Sequence, residues 1–107
     1  MFQIDRRDDV RARRADAGRL YQEFVRRPSM SAGLYELPAG SADPQQPHDE
    51  DELYYLITGA ASFECDGVVR LVTAGDTIFV AAHAPHRFVD ITRDLSVLVV
   101  FAPAESG

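Results

Sequence analysis

Residues 40–59, GSADPQQPHDEDELYYLITG, carry the clearest structural pattern of the chain. A polar loop rich in Pro leads into a cluster of acids around His48, and the strand-like run Leu53–Thr58 follows. Alternate residues of a strand point to the same face, so Glu52 and Tyr54 share one face of this run. A carboxylate on an apolar face is costly to bury unless a cation or strong hydrogen bonds accompany it. The segment therefore predicts a β-strand that begins at a buried polar site.

The chain beyond Gly18 consists of short aromatic and aliphatic runs separated by turn signals, of which Asp66-Gly67 is the strongest hairpin signal. No run shows the periodicity of an amphipathic helix, so we predict an all-β fold, an antiparallel sandwich or barrel. The eight predicted strands are Leu20–Val25, Ser31–Leu37, Leu53–Thr58, Ala60–Cys65, Val68–Val72, Thr77–Ala81, Arg87–Ile91 and Ser96–Phe101.

The domain organisation follows from length and composition. With 107 residues the chain has room for one domain, which we place at residues 20–107. Residues 1–19 form a polar N-terminal extension rich in Arg and acids. Within it we predict either a loop or a short surface helix that Asp8 or Asp9 caps and that Gly18 ends.

Composition excludes several classes of function. All 11 basic residues are Arg, so lysine Schiff-base chemistry is excluded. The net charge is −6, and residues 28–107 hold three Arg against twelve acids, which disfavours nucleic-acid binding. No apolar run approaches the ~20 residues of a membrane helix, so we expect no membrane partner. A start without a signal-peptide pattern and the lone Cys65 predict a cytoplasmic protein.

The coordinating side chains are concentrated in two places. His48 and Glu52 precede the strand-like run described above, and His86 lies some thirty residues later, next to another turn. A β-barrel can bring such groups together, because alternate residues of neighbouring strands face the same interior. A divalent first-row metal held by these three residues would have two imidazole ligands, one carboxylate ligand and open positions.

The spacing of these residues resembles the two motifs of the cupin family. The first motif corresponds to Gly40-x5-Gln46-x-His48-x3-Glu52-x6-Gly59, in which Gln46 stands where the family has a histidine. The second corresponds to the segment from Gly75 to Asp90; it keeps the glycine and His86 but has Ala81, His83 and Asp90 where Pro, Gly and Asn are usual. The chain is therefore similar to a small single-domain cupin over roughly Met30 to Ala102.

The resemblance implies a double-stranded β-helix, or jelly-roll barrel, with one divalent metal ion (Fe, Mn, Ni or Zn) near its mouth. Carried over by position, the ligands are Gln46, His48, Glu52 and His86. Because an amide oxygen is a weaker ligand than imidazole, two alternatives stay open. Either all four residues coordinate the ion, or Gln46 has withdrawn and three ligands hold it.

Two aromatic residues have positions that favour a role in a substrate pocket. Tyr54 and Phe88 each lie two residues beyond an expected ligand on the same strand. We expect both to line the pocket, and the Tyr54 hydroxyl to orient a substrate or to transfer a proton as the candidate catalytic group.

The leading functional hypothesis is a small enzyme whose metal binds and activates an oxygen-rich small molecule, in dioxygenase or in isomerase, lyase or cyclase chemistry. The alternative hypotheses are a non-catalytic module that binds or senses a small molecule, and a purely structural metal. We also expect a homodimer, as the resemblance to small cupins implies. Tyr55 and Ile57, on the strand face opposite Glu52, need cover.

Overall fold

The computed structural model describes residues 1–106, which form one helix followed by six antiparallel strands. The elements are α1 (Arg7–Ala17), β1 (Tyr21–Arg27), β2 (Met30–Leu37), β3 (Asp51–Cys65), β4 (Val68–Thr73), β5 (Thr77–Val80) and β6 (His86–Ala102). The predicted all-β fold with a minor N-terminal extension is thus confirmed. No helix among these residues has both the length and the apolar character that a membrane crossing requires.

Strands β3 and β6 form the centre of the structure. The strand order is β1-β2-β6-β3-β4, and β5 also pairs with β3. The β3–β6 ladder runs from the pair Asp51↔Ala102 to the pair Cys65↔His86, with register shifts near its middle. Since β3 and β6 are 15 and 17 residues long, each of them spans two of the eight predicted runs. The prediction of eight separate strands was therefore wrong.

Gly59 explains why β3 continues where the sequence predicts a turn. Its φ of 109° lies in the region that favours glycine, and an added Cβ would lie 2.6 Å from the carbonyl oxygen of Asp94 on β6. The register shifts on both sides of Gly59 increase the bend of the strand. Gly59 therefore bends β3 around the interior instead of ending it.

The turn between β3 and β4 has the conformation that the Asp66-Gly67 signal predicts. Asp66 and Gly67 have φ values of 51° and 79°, and positive values at both central residues are those of a type I′ hairpin turn. The predicted hairpin is confirmed.

Helix α1 packs on the outer face of the sheet. Val10 is buried, and Arg11 and Arg14 both donate to the carboxylate of Glu36 on β2, with N–O distances of 3.0 and 3.1 Å. Gly18 ends the helix in the left-handed conformation, as predicted. The predicted cap was wrong, because Asp8 and Asp9 lie in the first turn of the helix. Their negative charges interact favourably with the helix dipole there.

The inner faces of β3 and β6 form most of the core. Tyr54 and Leu56 on β3 and Phe88 and Val97 on β6 are almost completely buried. Glu52 lies on the same inner face as Tyr54 and is 3% exposed, as the alternation predicts. One end of this apolar interior therefore contains a buried carboxylate.

Candidate metal centre

Three possible metal ligands meet at that end of the interior. His48 lies in the loop before β3, Glu52 is the second residue of β3, and His86 is the first residue of β6. One ligand atom from each lies within 4.8 Å of the other two. Nε2 of His86 is 2.9 Å from Oε1 of Glu52, and Nε2 of His48 is 4.0 Å from the same oxygen. The structure therefore brings together three of the four residues that we expected to bind the ion.

Both imidazole rings are oriented through their other nitrogen. Nδ1 of His86 lies 2.7 Å from the carbonyl oxygen of Ala84, and Nδ1 of His48 lies 3.1 Å from Oε2 of Glu105. An Nδ1 that donates to an acceptor leaves Nε2 as the coordinating atom, which is the usual arrangement of metal-binding histidines. Both Nε2 atoms consequently face Glu52.

Glu52 is a buried carboxylate with an incomplete set of partners. Among residues 1–106, the partner of its buried Oε1 atom is Nε2 of His86, 2.9 Å away. Burial lowers the pKa of His86, but the Glu52 carboxylate and the Ala84 carbonyl oxygen outweigh this effect, so the pKa lies above its usual value. A buried carboxylate oxygen between two imidazole nitrogens is an environment in which a divalent cation could bind.

A cavity of about 210 Å³ opens beside these residues. This is smaller than the roughly 300–1,000 Å³ of pockets for drug-sized ligands, which indicates a small ligand. The lining is largely apolar and aromatic and includes four polar or charged side chains. Its apolar and aromatic residues are Leu20, Tyr21, Tyr35, Pro44, Tyr54, Val99 and Phe101, and its polar or charged residues are Gln45, His48, Glu52 and Glu105. The hydroxyl of Tyr21 is buried and has no hydrogen-bond partner in the described part of the chain.

A chain of hydrogen bonds orients Tyr54 at the cavity wall. Its hydroxyl donates to Oε1 of Gln45 over 2.8 Å and lies 3.1 Å from Nε2 of His86. Gln45 in turn donates to the carboxylate of Asp43, which also accepts from the backbone N–H of Phe88. Burial raises the pKa of Tyr54 well above its usual value of 10.0, and the charge of Glu52 is the second cause of the rise. The phenol therefore stays protonated near neutral pH.

The structure corrects the placement of two expected site residues. Gln46 is exposed and is absent from the cavity lining, whereas the preceding residue, Gln45, lines the cavity, because Asp43 and Tyr54 hold its side chain inward. Phe88 packs behind the ring of Tyr54, with 5.3 Å between ring centroids, and belongs to the core instead of the cavity lining. Tyr54 lies at the cavity, as expected.

Of the cavity residues that were not predicted from the sequence, three show why the prediction was incomplete. Gln45 differs from the expected amide by one position in a loop without periodicity. Tyr21 belonged to a predicted strand whose inner face could not be assigned. Glu105 follows the last strand, in a polar tail without a motif.

Comparison with known proteins agrees with this architecture. The cupin domain model matches residues 33–101, about two-thirds of the chain. The chain belongs to the cupin family. This cupin is also 42% identical to an uncharacterized protein of Streptomyces coelicolor over 101 residues, which cover 94% of this chain and 96% of that protein.

Solved cupin structures resemble the chain at lower identity. An RmlC-like cupin of Shewanella frigidimarina is 25% identical, covers 78% of this chain and 75% of its own, and superimposes with a TM-score of 0.71. The DMSP lyase DddQ of Ruegeria pomeroyi is 25% identical, with a TM-score of 0.69. That match covers 82% of this cupin but only 49% of the lyase.

Proposed function

We propose that this cupin is a small metal-dependent enzyme that holds one divalent ion at His48, Glu52 and His86. The observation that carries the proposal is the convergence of the buried Oε1 of Glu52 with two Nε2 atoms, that of His86 at 2.9 Å and that of His48 at 4.0 Å. Gln46 is left out of the ligand set because its side chain is exposed.

The donor set fits a catalytic ion better than a structural one. Two imidazole nitrogens and one carboxylate oxygen suit Zn, Fe, Mn or Ni, and three protein ligands leave positions open for a ligand. When bound, the ion would act as a Lewis acid toward an oxygen atom of the substrate. A closed structural site would ordinarily have four strong protein ligands.

The cavity indicates a small, partly apolar substrate that carries oxygen atoms. Its largely apolar walls would exclude water. Tyr54, whose phenol stays protonated, would hold a proton close to Nε2 of His86. We therefore favour redox-neutral proton transfer, as in an isomerase, lyase or cyclase.

Dioxygenase chemistry is the second candidate, and one observation favours it. Two histidines and one carboxylate with open positions are the ligand set of non-haem Fe(II) oxygenases. The two candidates differ in oxygen consumption, which can be measured directly.

Metal titration followed by a turnover screen tests the proposal. Chelator-treated protein is titrated with Zn²⁺, Mn²⁺, Fe²⁺ and Ni²⁺, and we expect one ion per chain. His86→Ala should lose this binding, whereas the control His83→Ala should keep it, because His83 lies on a turn with its side chain 72% exposed. Wild-type protein that takes up no ion, or His86→Ala protein that binds as wild type does, would overturn the proposal.

The loaded protein is then incubated with hydroxyketones, diketones and catechols in D₂O under oxygen. Deuterium incorporation without oxygen uptake supports the redox-neutral enzyme. Oxygen uptake that requires Fe²⁺ supports the dioxygenase instead. Saturable binding without any conversion contradicts both and favours the non-catalytic binding module.

We also propose that the protein forms a homodimer through the outer face of β3 and β5. Leu53, Tyr55 and Phe79 are 44%, 42% and 65% exposed, and Leu53 pairs directly with Phe79. Contiguous exposed apolar residues of this kind favour an interface. Analytical ultracentrifugation should give a dimer for wild type and a monomer for Phe79→Asp. The control Leu71→Asp, on β4 and 88% exposed, should remain dimeric. A monomeric wild type would contradict the proposal.

A further inference from the structure

Glu105 lies in a short segment after β6 that is fixed on both sides of its side chain. Its backbone N–H donates to Oγ of Ser31 over 2.9 Å, and its carbonyl oxygen accepts from Arg26 over 2.9 Å. The next residue, Ser106, donates to Oε2 of Glu50 over 2.7 Å. These contacts direct the Glu105 side chain toward the cavity, which it lines.

The Glu105 carboxylate contacts the His48 ring on the side away from Glu52. Its Oε2 atom is 3.1 Å from Nδ1 of His48, while Nε2 of the same ring faces Oε1 of Glu52. Both side chains are only 19% exposed, and the ring packs edge-on against Phe101 with 4.8 Å between centroids. The rotation of the His48 ring is thus fixed by one apolar contact and one contact with a carboxylate oxygen.

We propose that Glu105 is a positioning residue that holds His48 in the Nδ1–H tautomer and so directs its Nε2 lone pair to the metal. This inference rests on the metal site proposed above. Glu105 is not itself expected to bind the ion, because it lies on the opposite side of the ring. It also lies outside residues 33–101, so the family match does not assign it a role.

The physical reason is that an imidazole carries one proton in its neutral form. A carboxylate at Nδ1 attracts that proton, which leaves Nε2 free and makes it a stronger donor to a metal. His86 achieves the same orientation with a backbone carbonyl oxygen, that of Ala84. Only His48 relies on a side chain for this purpose, so only its tautomer can be changed by a single substitution.

The test is the Zn²⁺ affinity of Glu105→Ala, measured by competition with a chromophoric chelator. Loss of such an outer partner typically weakens metal binding by about 10- to 100-fold, and we expect a loss in that range. Ser106→Ala is the matched control, since it removes a neighbouring contact of the same segment but leaves the Glu105 carboxylate in place. We expect the control to bind as wild type does.

The ring tautomer gives a second readout that a purely structural role would not change. In metal-free protein at neutral pH, ¹⁵N NMR of the imidazole should show His48 protonated at Nδ1 in wild type and Ser106→Ala. In Glu105→Ala the proton should move largely to Nε2. If Glu105→Ala does not fold, Glu105→Gln takes its place; its weaker acceptor should reduce the Zn²⁺ affinity to a smaller extent.

Unchanged Zn²⁺ affinity, or an unchanged His48 tautomer in the folded variant, would overturn the role of Glu105. Wild-type protein that binds no Zn²⁺ but still shows Nδ1–H at His48 would instead refute the metal site and leave the orienting contact in place. The two failures are therefore distinguishable.

Discussion

Replacing Glu52 by Gln should abolish metal binding and yet stabilise the metal-free protein at alkaline pH. In the metal-free protein Glu52 is a buried carboxylate, 3% exposed. Its compensation is a protonated His86, with Nε2 2.9 Å away. Glutamine has nearly the same shape but carries no charge, so the substitution removes the cost of the buried charge.

The sign of the pH dependence follows from the raised pKa of His86. Burial acts against protonation, but Glu52 and the Ala84 carbonyl oxygen raise the pKa above 6.5 in the folded state. The ion pair therefore contributes its full stability below about pH 6.5 and loses it as the pH rises through the folded-state value. Above that value the Glu52 carboxylate is buried without a counter-ion.

A buried polar group without a partner costs about 1–3 kcal/mol, and more when it is charged. At about pH 8.5, well above the ordinary histidine pKa of about 6.5, we expect Glu52→Gln to raise the free energy of unfolding by about 1 kcal/mol. For a domain of this size this corresponds to about 4 °C in Tm. At about pH 5.5 the order should reverse, because the variant lacks the Glu52–His86 ion pair that stabilises the wild type below the folded-state pKa of His86.

The assay is urea unfolding followed by circular dichroism, in excess chelator, at both pH values. His83→Ala serves as the control for an exposed histidine and should follow the wild-type pH dependence. If Glu52→Gln is less stable than wild type at the higher pH, or if the difference between the two proteins does not vary with pH, the reasoning about the buried pair is refuted.

Three further substitutions test other parts of the structure. Glu36→Ala should lower the free energy of unfolding by about 1–3 kcal/mol, because Arg11 and Arg14 lose their shared carboxylate; unchanged urea stability would contradict the docking of α1. Gln46→Ala should leave the Zn²⁺ affinity as in wild type, and a tenfold loss (about 1.4 kcal/mol) would restore Gln46 as a ligand. Tyr54→Phe should keep the metal but slow deuterium incorporation by roughly 100-fold or more, and an unchanged rate would remove Tyr54 from the proton transfer.

The sequence predicted the parts of the site that lie on regular strands. Alternation along β3 was sufficient to place Glu52 and Tyr54 on the inner face, because the side-chain period of a strand is two residues. The spacing from Gly40 through His48 to Glu52 and the position of His86 resemble the cupin motifs, and that resemblance implied that these residues meet. The alternation along β3 depends on local geometry, which a single sequence contains.

The predictions that the structure did not match concern features that depend on contacts between distant segments of the chain. The loop before β3 has no periodicity, so nothing in the sequence distinguishes Gln45 from Gln46; the choice is made by Asp43, which bonds to Gln45 and to the backbone of Phe88. A glycine that bends a strand looks the same in sequence as one that ends it, as Gly59 shows. Glu105 reaches the cavity only because Ser31 and Arg26 fix its backbone.

The most direct test of the metal site is the location of the ion. Crystals grown with Zn²⁺ or Mn²⁺ are measured at the absorption edge of the metal, and an anomalous difference map is calculated. We predict one strong peak per chain between Nε2 of His48, Oε1 of Glu52 and Nε2 of His86. A map without density at that position, or with its only peak at the exposed pair of His83 and Asp49, would contradict the account.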